Sequence, residues 1–232
     1  VTATNAHGQS VGDTLDWHGA APPAPVVLAG RFVTLRPLVA EDAPAVVEAL
    51  GVHPELWTYL PWDPPTTSAA ALATIAGAAR PPLGTSFAVE SPDGSLLGRL
   101  DLMRADPAMG SIEVGAIVYS PALQRTRAAT ETQLLLAEHA FDTLGYRRYE
   151  WKCDSLNAPS RRAALRLGFV EEGTWRQDRI VKGRNRDTTW FSVTDAEWPV
   201  VRAAMRAWLA DDNVDDAGVQ RRSLAAVREG LA

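Results

Sequence analysis

The sequence predicts one α+β domain, and three observations predict it. Short segments with period-two apolar patterning recur between turn residues. Helical periodicity appears between some of them, most clearly over Glu131–Leu144. The order is strand, helices, three strands, helix, strand, helix, two strands, a mixed layout around one central βαβα unit.

Residues 1–29 are rich in Gly, Ala and Pro and read as an N-terminal arm ahead of a domain spanning 30–210. Arg-Phe-Val-Thr-Leu-Arg from Arg31 alternates and is ended by Pro37, which predicts a strand. Glu41–Leu50 carries acids and Pro44 in its first turn, as a helix start does. Thr66–Ala79 is Ala-rich and helical up to Pro81. Thr85–Glu90 and Ser95–Met103 flank the turn Ser91–Gly94, a hairpin signal. Ser111–Ser120 is apolar and β-branched, as a central strand should be. Gly145 closes the helix over Glu131–Leu144. Tyr146–Cys153 reads as a strand and Ala158–Leu167 as a helix stopped by Gly168. Phe169–Ile180 and Arg186–Val193 form a closing hairpin, Glu197–Leu209 a last helix, and 211–232 a charged tail.

The 232 residues suffice for a core without disulfide staples. The lone Cys153 permits no intrachain disulfide, which fits a reducing, cytoplasmic setting. His7, His18, His53 and His139 lack zinc-site spacing, so no metal is expected. No secretory signal pattern and no membrane-spanning run is found. A net charge of −5 gives no global pull toward nucleic acid.

The loop after the central strand, Ser120 to Thr130, leads into a helix N-terminus. Unpaired N–H groups and the macrodipole favour an anion there. Arg125 and Arg127 add charge, and Ala128, Ala129 and Thr130 are small enough to let a ligand approach. An ordinary βα loop with two solvated arginines is the alternative.

Four segments in order resemble the GNAT superfamily of acyl-CoA N-acyltransferases, in its branch of ribosomal-protein N-terminal (Rim-type) acetyltransferases. They are Ile112–Pro121, the loop from Gln124, Asn157–Ser160 with Leu167–Phe169, and Lys182–Asp187 with Trp190-Phe-Ser. The resemblance covers about Gly30 to Pro199. It implies a mixed, mostly antiparallel sheet with a central splayed pair of parallel strands, flanked by helices. It implies acetyl-CoA as co-substrate. The backbone of Ile117, Val118 and Tyr119 would bind the pantetheine arm and Gln124 to Thr130 the pyrophosphate, with Asn157 and Ser160 on the arm. Arg127 and Ala129 stand where the family pattern has glycines. Ala164 stands where the family often has a tyrosine acid, so the proton donor to the thiolate is unassigned.

Direct transfer requires a neutral amine, hence a base. Glu113 is the candidate, a carboxylate in an apolar strand. Strand periodicity puts 113, 115, 117 and 119 on one face, which aligns Tyr119 with it as a possible acid. A salt-bridged glutamate and a packing tyrosine are the alternatives. Asp101 reads as a strand-edge or turn acid, and Cys153 as a buried thiol. Trp57, Tyr59, Trp62 and Trp175 are candidates for the acceptor site or for plain packing. Arg176, Arg179, Lys182, Arg184 and Arg186 make the last hairpin basic, either solvated or attracting an acidic acceptor or tRNA.

The expected activity is acetyl transfer to a primary amine, a small molecule or a peptide N-terminus, by a monomer or homodimer without membrane contact. Two alternatives stay open. One is an acyltransferase on the same fold using aminoacyl-tRNA. The other is a catalytically silent binding or resistance protein.

Overall fold

The computed structural model describes residues 2–231. Thr2–Thr4 (β1) and Ser10–Gly12 (β2) pair as a small antiparallel hairpin. The chain then runs along the domain, where Trp17 Nε1–H donates to the Ala108 carbonyl at 2.7 Å and Ala21 N–H to that of Leu144 at 2.8 Å.

Leu28–Ala29 (β3) and Thr34–Pro37 (β4) begin the main sheet. The strand expected from Arg31 starts only at Thr34, and the reason is long-range. The N–H groups of Arg31, Phe32 and Val33 donate to the buried Glu131 carboxylate at 2.9, 2.6 and 3.1 Å, which takes them out of any ladder. A side chain at Gly30 would also strike Glu131.

Ala43–Val46 (α1) is flanked by tighter and wider helical turns over 40–51, and Ser68–Ala76 (α2) follows. Thr85–Glu90 (β5), Leu96–Asp106 (β6) and Ser111–Tyr119 (β7) form a meander. Arg127–Glu138 (α3) crosses to Arg148–Asp154 (β8), then Ala158–Leu167 (α4) leads to the hairpin Val170–Val181 (β9) and Arg184–Thr194 (β10). Trp198–Leu209 (α5) is amphipathic through Trp198, Val201, Met205 and Trp208. Residues past it turn back, and Leu224–Glu229 (α6) buries Leu224 and Val227.

The eight-stranded sheet has the order β3-β4-β5-β6-β7-β8-β10-β9, antiparallel except for β7 with β8. The parallel ladder lasts four residue pairs, from Ser111 with Arg148 to Val114 with Trp151, and then the strands part. Two apolar layers cover the sheet. One face packs α3 and α5 through Leu134, Leu136 and Met205, with Phe141 from the turn after α3. The other packs the α1–α2 region through Val46, Leu50, Trp57 and Ile75 against Ala88 and Val118.

β7 changes faces midway. Asp101 stands opposite Gly115, but Arg99 stands opposite Val118, so one extra residue bulges out of β7. Ala116 sits there at φ 50°, a left-handed conformation rare for a residue with a side chain. Before the bulge Val114 faces α3, and after it Ile117 and Tyr119 do.

Candidate active site

The sheet opens where β7 and β8 separate. From Gly115 to Tyr119 the edge of β7 that faced β8 has no strand partner. Glu113 and Lys152 lie at the closed end of this gap, on the α1–α2 side. Glu113 is 2% exposed. Its Oε2 is 3.3 Å from Lys152 Nζ and 3.3 Å from Arg104 Nε. Burial raises its pKa above the usual carboxylate range, and the two cations counteract that only in part. Lys152 is also half-buried, and burial lowers its pKa despite the attraction of Glu113. A side chain at Gly115 would lie 2.6 Å from Met103 Sδ and 3.0 Å from Glu113 Oε1, so glycine keeps this corner open.

Trp190 lies beside the pair. Its ring centroid is 4.9 Å from Lys152 Nζ and 4.9 Å from Arg104 Cζ. Trp175, which is exposed, leans on it at 4.9 Å. Arg104 is delivered by a second irregularity, at φ 51° in β6.

Tyr119 does not share a face with Glu113. The bulge at Ala116 shifts the alternation by one residue, so the expected alignment of 113, 115, 117 and 119 fails. The Tyr119 hydroxyl accepts from Gln133 Nε2 on α3 at 2.7 Å, and burial raises its pKa further above the tyrosine range. Asp101 is not an edge acid either. It is 2% exposed and pairs with the buried Arg99 at 3.1 Å.

The helix after the loop begins earlier than its apolar period suggests. Thr126 caps α3, its Oγ1 accepting from Ala129 N–H at 3.1 Å. Arg127, Ala128, Ala129 and Thr130 are therefore first-turn residues. The Ala129 N–H is satisfied by the cap, which removes it from the anion-binding set. The Arg127 side chain points away from the loop, donating to the Leu209 carbonyl and to Asp211 Oδ1 at 3.2 Å and lying 4.5 Å over the Phe32 ring. Its guanidinium is thus engaged with the Leu209 carbonyl and Asp211, away from the expected phosphate contact. Thr130 is buried and its hydroxyl accepts from Arg166. Arg125 remains exposed, at φ 62°. Gln124 Nε2 donates to the Tyr119 carbonyl at 2.8 Å, joining the loop to the strand. Ser120 is buried, and its hydroxyl has no hydrogen-bond partner among the described residues.

Asn157 and Ser160 lie across the gap at the start of α4. Asn157 Oδ1 accepts from Ser160 N–H at 3.1 Å, and Ser160 Oγ accepts from Trp151 Nε1 at 3.0 Å. Cys153 is buried nearby, and burial raises its thiol pKa.

Trp57 is a core residue, 1% exposed, with Nε1–H donating to the Leu50 carbonyl at 3.0 Å. It therefore cannot line an acceptor site with its ring. Tyr59 and Trp62 are half-buried. The last hairpin reaches this segment, since Lys182 Nζ donates to the Trp57 carbonyl at 2.9 Å and Arg186 to that of Tyr59 at 3.4 Å. These two cations of the basic hairpin are thus tied down.

Sequence reasoning missed Lys152, Arg104 and Trp190. The alternation of Arg148, Glu150 and Lys152 with Tyr149, Trp151 and Cys153 carried a signal for Lys152. Nothing local marked Arg104. No group of three or more His, Cys, Asp and Glu among the described residues is placed to hold a metal.

A parallel pair that parts beside a buried carboxylate, inside an otherwise antiparallel sheet, is the GNAT architecture. The family model for the acetyltransferase (GNAT) domain matches residues 33–170, and the chain belongs to that family. It is similar to a GCN5-related N-acetyltransferase from Brucella melitensis, with a TM-score of 0.88 and 44% identity, covering 92% of this chain and 99% of that one. It is also similar to "Putative ribosomal N-acetyltransferase YdaF" of Bacillus subtilis (strain 168), 29% identical over 106 residues. That match covers 46% of this chain and 57% of the relative, so the chain spans little more than half of that protein. The fold is shared with Mycobacterium smegmatis RimJ in complex with CoA-disulfide, at a TM-score of 0.65 and 24% identity, covering 82% of this chain and 93% of that one.

Proposed function

We propose that the protein transfers an acetyl group from acetyl-CoA to a primary amine, by direct attack of the amine on the thioester, with Glu113 as base. One observation carries this reading. A carboxylate 2% exposed, with its pKa raised by burial, stands where the sheet opens. At neutral pH an incoming amine is mostly ammonium and must lose a proton before attack. A carboxylate whose pKa is raised by burial is suited to take it, directly or through a water.

The residues fit the co-substrate. The open edge of β7 at Ile117, Val118 and Tyr119 offers backbone groups for an extended amide arm. The N–H groups of Arg127 and Ala128 at the start of α3, with exposed Arg125, suit a pyrophosphate. The unpartnered hydroxyl of Ser120 lies between these two regions in sequence. Asn157 and Ser160 flank the gap from α4. Bound acetyl-CoA supplies the activated acyl group. The acceptor class that best fits a relative named as a ribosomal N-acetyltransferase is a peptide N-terminus. Trp175, with Tyr59 and Trp62 on the neighbouring segment, would contact it.

The test is thiol release from acetyl-CoA with a panel of small amines and short peptides. Glu113→Gln should lower turnover about a hundredfold or more and flatten the acidic limb of the pH–rate profile. Thermal stabilisation by CoA should persist, roughly 2.7 kcal/mol at about a hundred times the dissociation constant. Equal turnover in the variant at every pH sinks the assignment of Glu113.

A further inference from the structure

We infer that Lys152 is a positioning residue for the transfer, its ammonium holding the Glu113 carboxylate charged at the closed end of the gap. The inference rests on the reading of Glu113 as base. Lys152 is the first residue of β8 beyond the last paired position, Val114 with Trp151. Continued pairing would set it opposite Gly115, where an added side chain would lie 3.0 Å from Glu113 Oε1. Its Nζ lies 3.3 Å from Glu113 Oε2.

The charged groups that act most strongly on the pair come from β6, β8 and β9. Glu113 faces Lys152 from β8 and Arg104 from β6, both favouring its charge, and Glu150 from β8, opposing it. Lys152 faces Glu113, with Arg104 and Arg179 repelling it. The two cations differ in kind. The Arg104 side chain is 43% exposed and also reaches toward Glu150 at 3.9 Å, so water and a second carboxylate dilute its effect on Glu113. The Lys152 side chain is 13% exposed, and its only ion pair among the described residues is with Glu113. Trp190 lies directly across the strand pair from Lys152, and its ring limits where the ammonium can go.

Without the lysine the buried carboxylate would keep its proton to higher pH and accept one from the substrate less readily. Lys152 therefore offsets the desolvation that Arg104 alone leaves uncompensated. It touches neither acyl group nor acceptor in this role.

The experiment is a ¹³C NMR titration of the glutamate side-chain carboxyls in the ligand-free protein, with Glu113→Gln identifying the Glu113 signal. Lys152→Met should move the Glu113 midpoint upward by about 1 pH unit or more. Lys152→Arg should leave it near the wild-type position. Lys152→Gln is the second neutral variant, should the Met variant fold poorly by circular dichroism. An unmoved midpoint in a folded neutral variant overturns the inference, and so does a shift in Lys152→Arg as large as in Lys152→Met. The acidic limb of kcat/KM, measured by thiol release from acetyl-CoA with the best acceptor of the amine and peptide panel, should follow the midpoint. A midpoint that moves while the limb stays overturns the assignment of Glu113 as base and with it the catalytic part of the inference. The electrostatic pairing would then stand without it.

Discussion

Replacing Arg127 by alanine should cost stability and leave phosphate recognition intact. The side chain is 22% exposed, and its guanidinium makes three attachments. The bond to the Leu209 carbonyl is a charged one in a partly buried place, worth about 1.5–3 kcal/mol. The pairing with Asp211 is solvent-facing, 66% exposed on the acid side, and adds little. The stacking over Phe32 at 4.5 Å adds roughly 0.5–1 kcal/mol. The three share one side chain and do not add fully, so a loss of about 2–3 kcal/mol is expected. For a chain of 232 residues this corresponds to roughly 4–12 °C in Tm. The assay is urea unfolding of wild type and Arg127→Ala, with thermal shifts in CoA and in pantetheine, which lacks the pyrophosphate. The preference for CoA over pantetheine should be unchanged by Arg127→Ala and reduced about tenfold by Arg125→Ala. Unaltered stability in Arg127→Ala, together with a selective loss of CoA, would refute the bracing role.

Two further outcomes are expected. Glu131→Ala strips the acceptor from three backbone N–H groups, of which that of Val33 is buried, and should lower unfolding stability by about 2–4 kcal/mol. Stability within about 0.5 kcal/mol of wild type would show that water replaces the carboxylate. Burial opposes ionisation of Asp42, but bonds from Arg36 and the Val39 N–H outweigh it and hold the carboxyl below its usual range. Its folded pKa is thus depressed. The contribution is present above about pH 4 and should fade as pH falls through the folded value. Acid titration of unfolding should show this loss in wild type and lack it in Asp42→Asn.

The elements that obey local rules were legible. α4 matches Ala158–Leu167 because Asn157 caps it and Gly168, at φ 105°, ends it. β8 was legible because its alternation matches its burial. The illegible parts depend on distant partners. Glu131 lies about a hundred positions from the N–H groups that it binds, and no local pattern announces a buried helical acid. The bulge at Ala116 left no trace because β7 is apolar on both faces, so an extra residue disturbs no visible period. That hidden residue misassigned Tyr119. It also concealed that Arg104 and Lys152 meet Glu113, since both come from neighbouring strands whose register only the fold defines.

The bulge in β7 divides the labour of one strand. Residues before Ala116 send the carboxylate toward the α1–α2 side, where an acceptor would arrive. Residues after it send Ile117 and Tyr119 toward α3, under the loop proposed for the donor. Substitutions up to Gly115 should retune proton handling and acceptor choice. Those from Ile117 onward should retune donor affinity. Deleting Ala116 would restore plain alternation and leave Val114, Ile117 and Tyr119 on the α3 face.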